Sequence, residues 1–216
     1  MAKKVVVLSV SLYSIILYLL LCLFLIYSSS CDYLTPVPLK RIPLFSLQML
    51  PHIIIAFIIL FVNQALWTLL SHYAIDSYNQ SSHIIINLNK NNFLHVFFFV
   101  LQISVAACFE ELLFRQFFPH RTKWILRECG PYLKPRLAKN DLLPIKCVSA
   151  FKFVTVEIVP VFAFALGHQY LGFVGFFNAL VAGAVLRLLY KKTRSIAPGC
   201  IVHVMYNVLI IGIMGF

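Results

Sequence analysis

Two adjacent glutamates are the residues whose type and spacing point most directly to chemistry. Glu110 and Glu111 lie inside the apolar stretch 105–115, in a chain with only seven acidic residues. Glu111 and Arg115 are four residues apart, so on a helix they share a face and can form an ion pair. Glu110 is turned away by about 100° and has no local cation. A desolvated carboxylate without a cation suits a general base working near neutral pH. We therefore predict that Glu110 is the reactive residue and Glu111 the structural one.

Two imidazoles and a carboxamide lie in later apolar segments. His168 ends the segment that contains Phe164, and His203 lies four residues before Asn207, which places those two on one helical face. Taken singly, each histidine also fits a buried structural residue, and the last pair also fits an interhelical hydrogen bond. Together with Glu110, these groups can activate a water and donate hydrogen bonds to an oxyanion. The combination favours hydrolysis.

The composition indicates the elements that must position these residues. The chain has 216 residues, of which 61% are hydrophobic and 12% charged, and its mean hydropathy is +0.90. Soluble domains have about 25% charged residues, so this composition excludes an ordinary water-soluble enzyme. We predict an all-α, multi-pass transmembrane bundle, since about 20 apolar residues span a bilayer. The six predicted spans are 5–27, 48–70, 93–118, 148–168, 170–190 and 196–216, and the first is interpreted as a retained helix rather than a cleaved signal peptide.

The formal net charge of +11 has two explanations, nucleic-acid binding and membrane topology. The basic residues occur in short runs between apolar segments, which favours topology and excludes nucleic acid. By the positive-inside rule, the basic loops 119–147 and 187–194 and the pair 40–41 face the cytoplasm, and the nearly neutral stretch 71–92 faces outward. This places the N-terminus outside, against the charge of Lys3 and Lys4. The expected partner is the lipid bilayer, either a bacterial cytoplasmic membrane or the endoplasmic reticulum.

Two further groups of residues receive structural interpretations. The six cysteines form no C-x-x-C pair, so they are interpreted as small buried apolar residues. Glu157 is a third candidate for an intramembrane acid, with Lys152 as a partner at a poor spacing. No internal repeat is present.

Three short motifs occur in order along the chain: E-E-x-x-x-R at residues 110–115, F-x-x-x-H at 164–168 and H-x-x-x-N at 203–207. The pair Ser195-Ile196 precedes the third motif. In this order, within hydrophobic segments, they resemble the CPBP family. That family comprises the type II CAAX prenyl proteases and their bacterial relatives, including bacteriocin-processing, immunity and abortive-infection-like proteins. The resemblance covers residues 93–216, which would form the protease core, and leaves 1–92 as N-terminal helices and loops.

The resemblance implies an all-helical intramembrane endopeptidase whose site opens toward the cytoplasm. Glu110 would activate water together with His168, while His203 and Asn207 would hold that water or stabilise the oxyanion. Phe164 would pack beside the site. The substrates implied are membrane-associated peptides, among them prenylated CAAX C-termini.

Alternatives for cofactor and function follow from the same residues. Glu110, His168 and His203 with a water could make a zinc site, although no His-Glu-x-x-His motif is present. A mechanism without metal is favoured because asparagine is a poor zinc ligand. A proton-coupled transporter would also use intramembrane Glu and His residues, but no repeated half supports it. The third alternative is a non-enzymatic immunity or assembly partner.

The predicted spans leave one conflict of depth. They place His168 at the outer end of its helix and His203 about two turns from the inner face, so the two side chains would not meet. A helix break at Gly167, Gly172 or Gly175 would resolve this conflict, because irregular backbone is tolerated where it lines a cavity.

Overall fold

The computed structural model describes residues 5–8, 10–30, 45–74, 83–86, 93–138 and 145–215. The described chain is a bundle of α-helices with one small strand pair outside it. Strands β1 (Val5–Leu8) and β2 (His83–Ile86) pair in parallel, with Val5 opposite His83. The bundle begins with α1 (Leu12–Ser30) and α2 (Leu50–Ala74), the latter entered through a 3-10 turn at Leu47–Met49.

The next four helices form two pairs, and in each pair a π-helical segment joins one α-helix to the following one. Two uninterrupted α-helices come after them. In the first pair, α3 (Phe93–Glu111) passes through a π-helical segment, Leu112–Phe117, into α4 (Phe118–Ala138). In the second, α5 (Ile145–Phe153) passes through a π-helical segment, Val154–Ile158, into α6 (Val159–Gly167). A 3-10 turn, Gln169–Leu171, leads to α7 (Gly172–Thr193), and α8 (Ala197–Gly215) ends the fold.

Four helices of the described chain are long and apolar enough to cross a membrane: Leu47–Leu70, Phe93–Glu128, Ser149–Gly167 and Gln169–Thr193. Two shorter apolar helices, Leu12–Ser28 and Ala197–Ile213, accompany them. Large apolar side chains such as Leu20, Phe24 and Ile55 are exposed on the outside of the bundle. Lipid is an apolar solvent, so this surface is stable only in a bilayer. The predicted multi-pass helical membrane fold is confirmed.

Several predicted boundaries are wrong. The stretch 119–147, interpreted as a loop, is helical as far as Ala138, because a helix already begun adds one hydrogen bond for each further residue that it fixes. The first helix begins at Leu12 rather than residue 5, since residues 5–8 form β1. Arg187 belongs to α7 and not to a loop, because α7 extends to Thr193. Lys3 and Lys4 lie outside the described residues.

Helix α7 lies at the centre of the bundle. It packs against α2, α6 and α8, while α3 packs between α1 and α8. A Cβ on Gly183 of α7 would lie 3.1 Å from the ring of Phe164, so a residue without a side chain lets α6 approach closely. Leu60, Phe164, Leu186 and Val202 form the buried core between these helices. This packing brings the ends of α3 and α6 against the first half of α8.

Candidate active site

Glu111 and Arg115 form the buried base of the site. The Glu111 side chain has no exposed surface, and its Oε2 lies 3.4 Å from Nε of Arg115. The guanidinium carbon of Arg115 lies 4.1 Å from the centre of the Phe164 ring. Within the described chain, the guanidinium nitrogens of Arg115 make no hydrogen bond. The charge of Arg115 is therefore stabilised by the Glu111 carboxylate and the aromatic face. The contact expected from the i, i+4 spacing is present.

Glu111 has a second partner that the sequence analysis did not predict. Its Oε1 lies 3.0 Å from Nδ1 of His203 on α8. A carboxylate only accepts, so Nδ1 of His203 carries the proton. The opposite ring nitrogen, Nε2, then faces Glu110, at 3.7 Å from Oε2.

The close approach of α8 to Glu111 depends on Gly199. A Cβ at this position would lie 2.8 Å from Oε2 of Glu111, below any normal contact distance. Gly199 lies one turn before His203, so it allows the helix carrying the histidine to reach the carboxylate.

His168 approaches Glu110 from the end of α6. It follows the last residue of that helix, and its Nδ1 lies 2.9 Å from the carbonyl oxygen of Phe164. A carbonyl cannot donate, so Nδ1 of His168 carries the proton and Nε2 is the free nitrogen. That Nε2 lies 4.0 Å from Oε2 of Glu110. The expected conflict of depth is absent: α6 ends at Gly167, and Gly172, with φ of 83°, begins α7 in a conformation that favours glycine.

Glu110, His168 and His203 therefore converge, although they come from three helices. Glu110 and His168 are partly exposed, at 28% and 22%, whereas His203 and Glu111 are buried. The separations between Glu110 and the two imidazoles, 4.0 Å to His168 and 3.7 Å to His203, exceed a hydrogen bond. The arrangement can hold one water against a carboxylate and two imidazole nitrogens.

Asn207 is half-buried on α8, one turn after His203, and makes no hydrogen bond with another described residue.

Tyr206, the residue before Asn207, belongs to a polar network that joins three helices. The hydroxyl of Tyr206 donates to Gln64 Oε1 at 2.9 Å and accepts from Asn178 Nδ2 at 2.9 Å, and Asn178 also bonds to Asn63. The sequence analysis missed this network, although polar residues within apolar helices were the available signal.

A second ion cluster joins the second π-helical segment, Val154–Ile158, to α7. Glu157 Oε2 accepts from Nε of Arg187 at 2.9 Å and lies 3.6 Å from Nζ of Lys191. The partner of Glu157 is therefore on α7, and the expected pairing with Lys152 is wrong, because five residues along a helix leave two side chains on different faces.

The arrangement of the donor atoms bears on the zinc alternative. Among the described residues, no group of three or more His, Cys, Asp or Glu side chains is arranged to hold a metal ion. Glu110, His168 and His203 do not form such a group.

The fold is that of a multi-pass helical membrane protein in which one glutamate and two histidines from three helices lie close together. Residues 92–209 match the model of the type II CAAX prenyl endopeptidase Rce1-like family. The chain belongs to this family, and thus to a family of CAAX-type intramembrane proteases. No curated protein and no solved structure matches the chain.

Proposed function

We propose that this protein is an intramembrane endopeptidase that hydrolyses a peptide bond in a membrane-associated substrate, with prenylated CAAX C-termini as the substrate class. The observation that carries the proposal is the convergence of Glu110 Oε2 with Nε2 of His168 at 4.0 Å and of His203 at 3.7 Å. The family supplies the reaction class.

The attacking water would be bound between Glu110 and His168. Both present acceptors to it, because the proton of His168 is committed to the Phe164 carbonyl. Glu110 takes a proton as the water oxygen bonds to the scissile carbonyl carbon, and it returns that proton to the leaving amine when the C–N bond breaks. Phe164 holds the plane of His168, at a ring separation of 4.6 Å.

The oxyanion would be stabilised from α8. His203 already donates Nδ1–H to Glu111, so it can donate from Nε2 only when both ring nitrogens carry protons. The amide nitrogen of Asn207 supplies a second donor.

The test is a peptidase assay on purified protein in detergent, with a quenched fluorescent peptide ending in farnesylated cysteine and three further residues. Glu110→Gln should remain folded and lose cleavage, because the amide cannot take the proton. Glu128→Gln is the matched control, since Glu128 is exposed and pairs only with Arg127 among the described residues. Full turnover by Glu110→Gln would refute the assigned role. A folded wild-type protein that does not cleave would favour a transporter or a binding partner.

The same preparation separates the metal-free mechanism from the zinc alternative. Elemental analysis and activity after chelation are measured together. We expect activity to survive chelation. Stoichiometric zinc whose removal abolishes cleavage, and whose return restores it, would instead make Glu110, His168 and His203 its ligands.

A further inference from the structure

We propose that Arg187, held by Glu157, is a positioning residue for the proposed peptidase: it fixes the backbone directly after the two glutamates. The inference rests on the proposed function. Arg187 lies in α7, and its hydrogen bonds go to Glu157 and to the carbonyl of Arg115 rather than to Glu110 or the two histidines. Its effect on the site must therefore pass through the main chain.

Arg187 makes two directed contacts from one buried guanidinium. It is 5% exposed, its Nη1 donates to the carbonyl oxygen of Arg115 at 2.6 Å, and its Nε donates to Glu157 Oε2 at 2.9 Å. A guanidinium is planar, so its donors have a fixed mutual geometry. Holding Glu157 with one nitrogen therefore sets where the other nitrogen presents its proton to the carbonyl.

Both partners of Arg187 lie in π-helical segments. Arg115 belongs to Leu112–Phe117 and Glu157 to Val154–Ile158. The wider turn of a π-helix shifts the register of the backbone hydrogen bonds, and such segments occur often at functional sites. A donor from outside the helix stabilises a carbonyl at such a place. Arg187 thus joins the segment that follows Glu111 to the segment that leads into α6, the helix of Phe164 and His168.

Arg115 connects the contacts made by Arg187 to the candidate site. Its carbonyl receives Arg187, while its side chain pairs with Glu111, which in turn holds His203. A shift of the π-helical turn would move Glu110 and Glu111 together, relative to both histidines. Lys191 also contacts Glu157 and is partly exposed, so the carboxylate keeps a cation when Arg187 is changed.

The first test is Arg187→Lys, which keeps the positive charge but not the planar pair of donors. A misplacement of about 1 Å costs up to about 100-fold in rate. We expect kcat on the farnesylated peptide to fall about 10- to 100-fold, with KM unchanged within about two-fold, because the substrate surface is intact. Lys192→Met is the matched control, since Lys192 is exposed on the same helix, and it should keep wild-type kcat.

The second test is the swapped pair Glu157→Arg with Arg187→Glu. It restores opposite charges, but a carboxylate at position 187 cannot donate to the carbonyl of residue 115. In the swapped pair a guanidinium at position 157 faces Lys191 and a carboxylate at position 187 faces the carbonyl oxygen of Arg115. We therefore expect a lower unfolding temperature in detergent than the wild type and a kcat at least as low as that of Arg187→Lys. If the swapped protein is not recovered folded, Arg187→Lys decides. Wild-type kcat in a folded form of either variant overturns the positioning role alone, whereas a wild-type protein that cleaves nothing overturns the proposed function and this role with it.

Discussion

Glu110 and Glu111 are adjacent in the chain but have different surroundings. Glu111 is fully buried and has two partners, Arg115 and His203, whereas Glu110 is partly exposed and lies between two imidazoles beyond hydrogen-bond distance. Successive residues of a helix differ by a rotation of about 100°. That rotation is enough to bury the carboxylate of Glu111 between helices and to leave the carboxylate of Glu110 partly exposed beside the two imidazoles.

Changing Glu111 should affect stability as well as activity. Glu111→Gln leaves Arg115 buried without a carboxylate, and losing one partner of a buried pair costs roughly 3–5 kcal/mol. We expect a clear fall in the thermal unfolding temperature in detergent. The exposed Glu128→Gln should unfold like the wild type. An equal unfolding temperature for the two variants would contradict the structural role of Glu111.

Changing Asn207 should affect turnover only. Removing one oxyanion donor costs about 10²–10³ in rate, so Asn207→Ala should lower kcat by that factor and leave KM unchanged. Asn207→Asp should not rescue it, because a carboxylate repels the oxyanion. Met205→Ala, on the exposed face of the same helix, serves as the control. A rise in KM with unchanged kcat would place Asn207 in substrate binding instead.

At the scale of the elements, the site depends on how closely α8 approaches α3. Gly199 is the position that permits this approach, since a Cβ there would lie 2.8 Å from Oε2 of Glu111. Glu111 cannot easily move aside, because its Oε2 forms an ion pair with Arg115 and its Oε1 accepts a hydrogen bond from His203.

Gly199→Ala should therefore separate the two helices, lowering both kcat and the unfolding temperature. The reason is steric, because a methyl group elsewhere on a helix is neutral or favourable. Gly212→Ala supplies the control, since a Cβ at that position of α8 meets open space. We expect Gly212→Ala to keep wild-type activity and stability. The steric explanation fails if the two alanine variants behave alike.

At the scale of the molecule, the charge pattern predicts which side of the membrane each end of the bundle faces. The basic end of α7 should be cytoplasmic by the positive-inside rule, and the end of α2 near Leu70 should be external. Leu70 ends the membrane-spanning part of α2, Lys192 lies in the last turn of α7, and both are exposed. Cysteines at these two helix ends therefore report on opposite sides of the membrane.

Labelling with a membrane-impermeant maleimide tests this orientation in sealed right-side-out vesicles. The six native cysteines are first replaced. Leu70→Cys should react directly, and Lys192→Cys only after the vesicles are permeabilised. Direct labelling of Lys192→Cys would reverse the topology and place the candidate site's opening on the other side.

Local geometry explains what could be predicted from the sequence. The membrane bundle follows from the length of the apolar runs, because about 20 apolar residues are needed to cross lipid. The contact between Glu111 and Arg115 follows from the helical period, which involves no other element. The order of the motifs at 110–115, 164–168 and 203–207 indicated the family before any distance was known.

The tertiary structure decided which residues meet across helices. The sequence analysis contained none of three contacts between helices: Glu111 with His203, Arg187 with the carbonyl of Arg115, and Glu157 with Arg187. Helices in lipid are apolar on nearly every face, so the periodicity of hydrophobic residues does not show which face turns inward. Helix contacts in a membrane are selected by small residues and by polar partners on other helices, and these are defined only when the helices are packed.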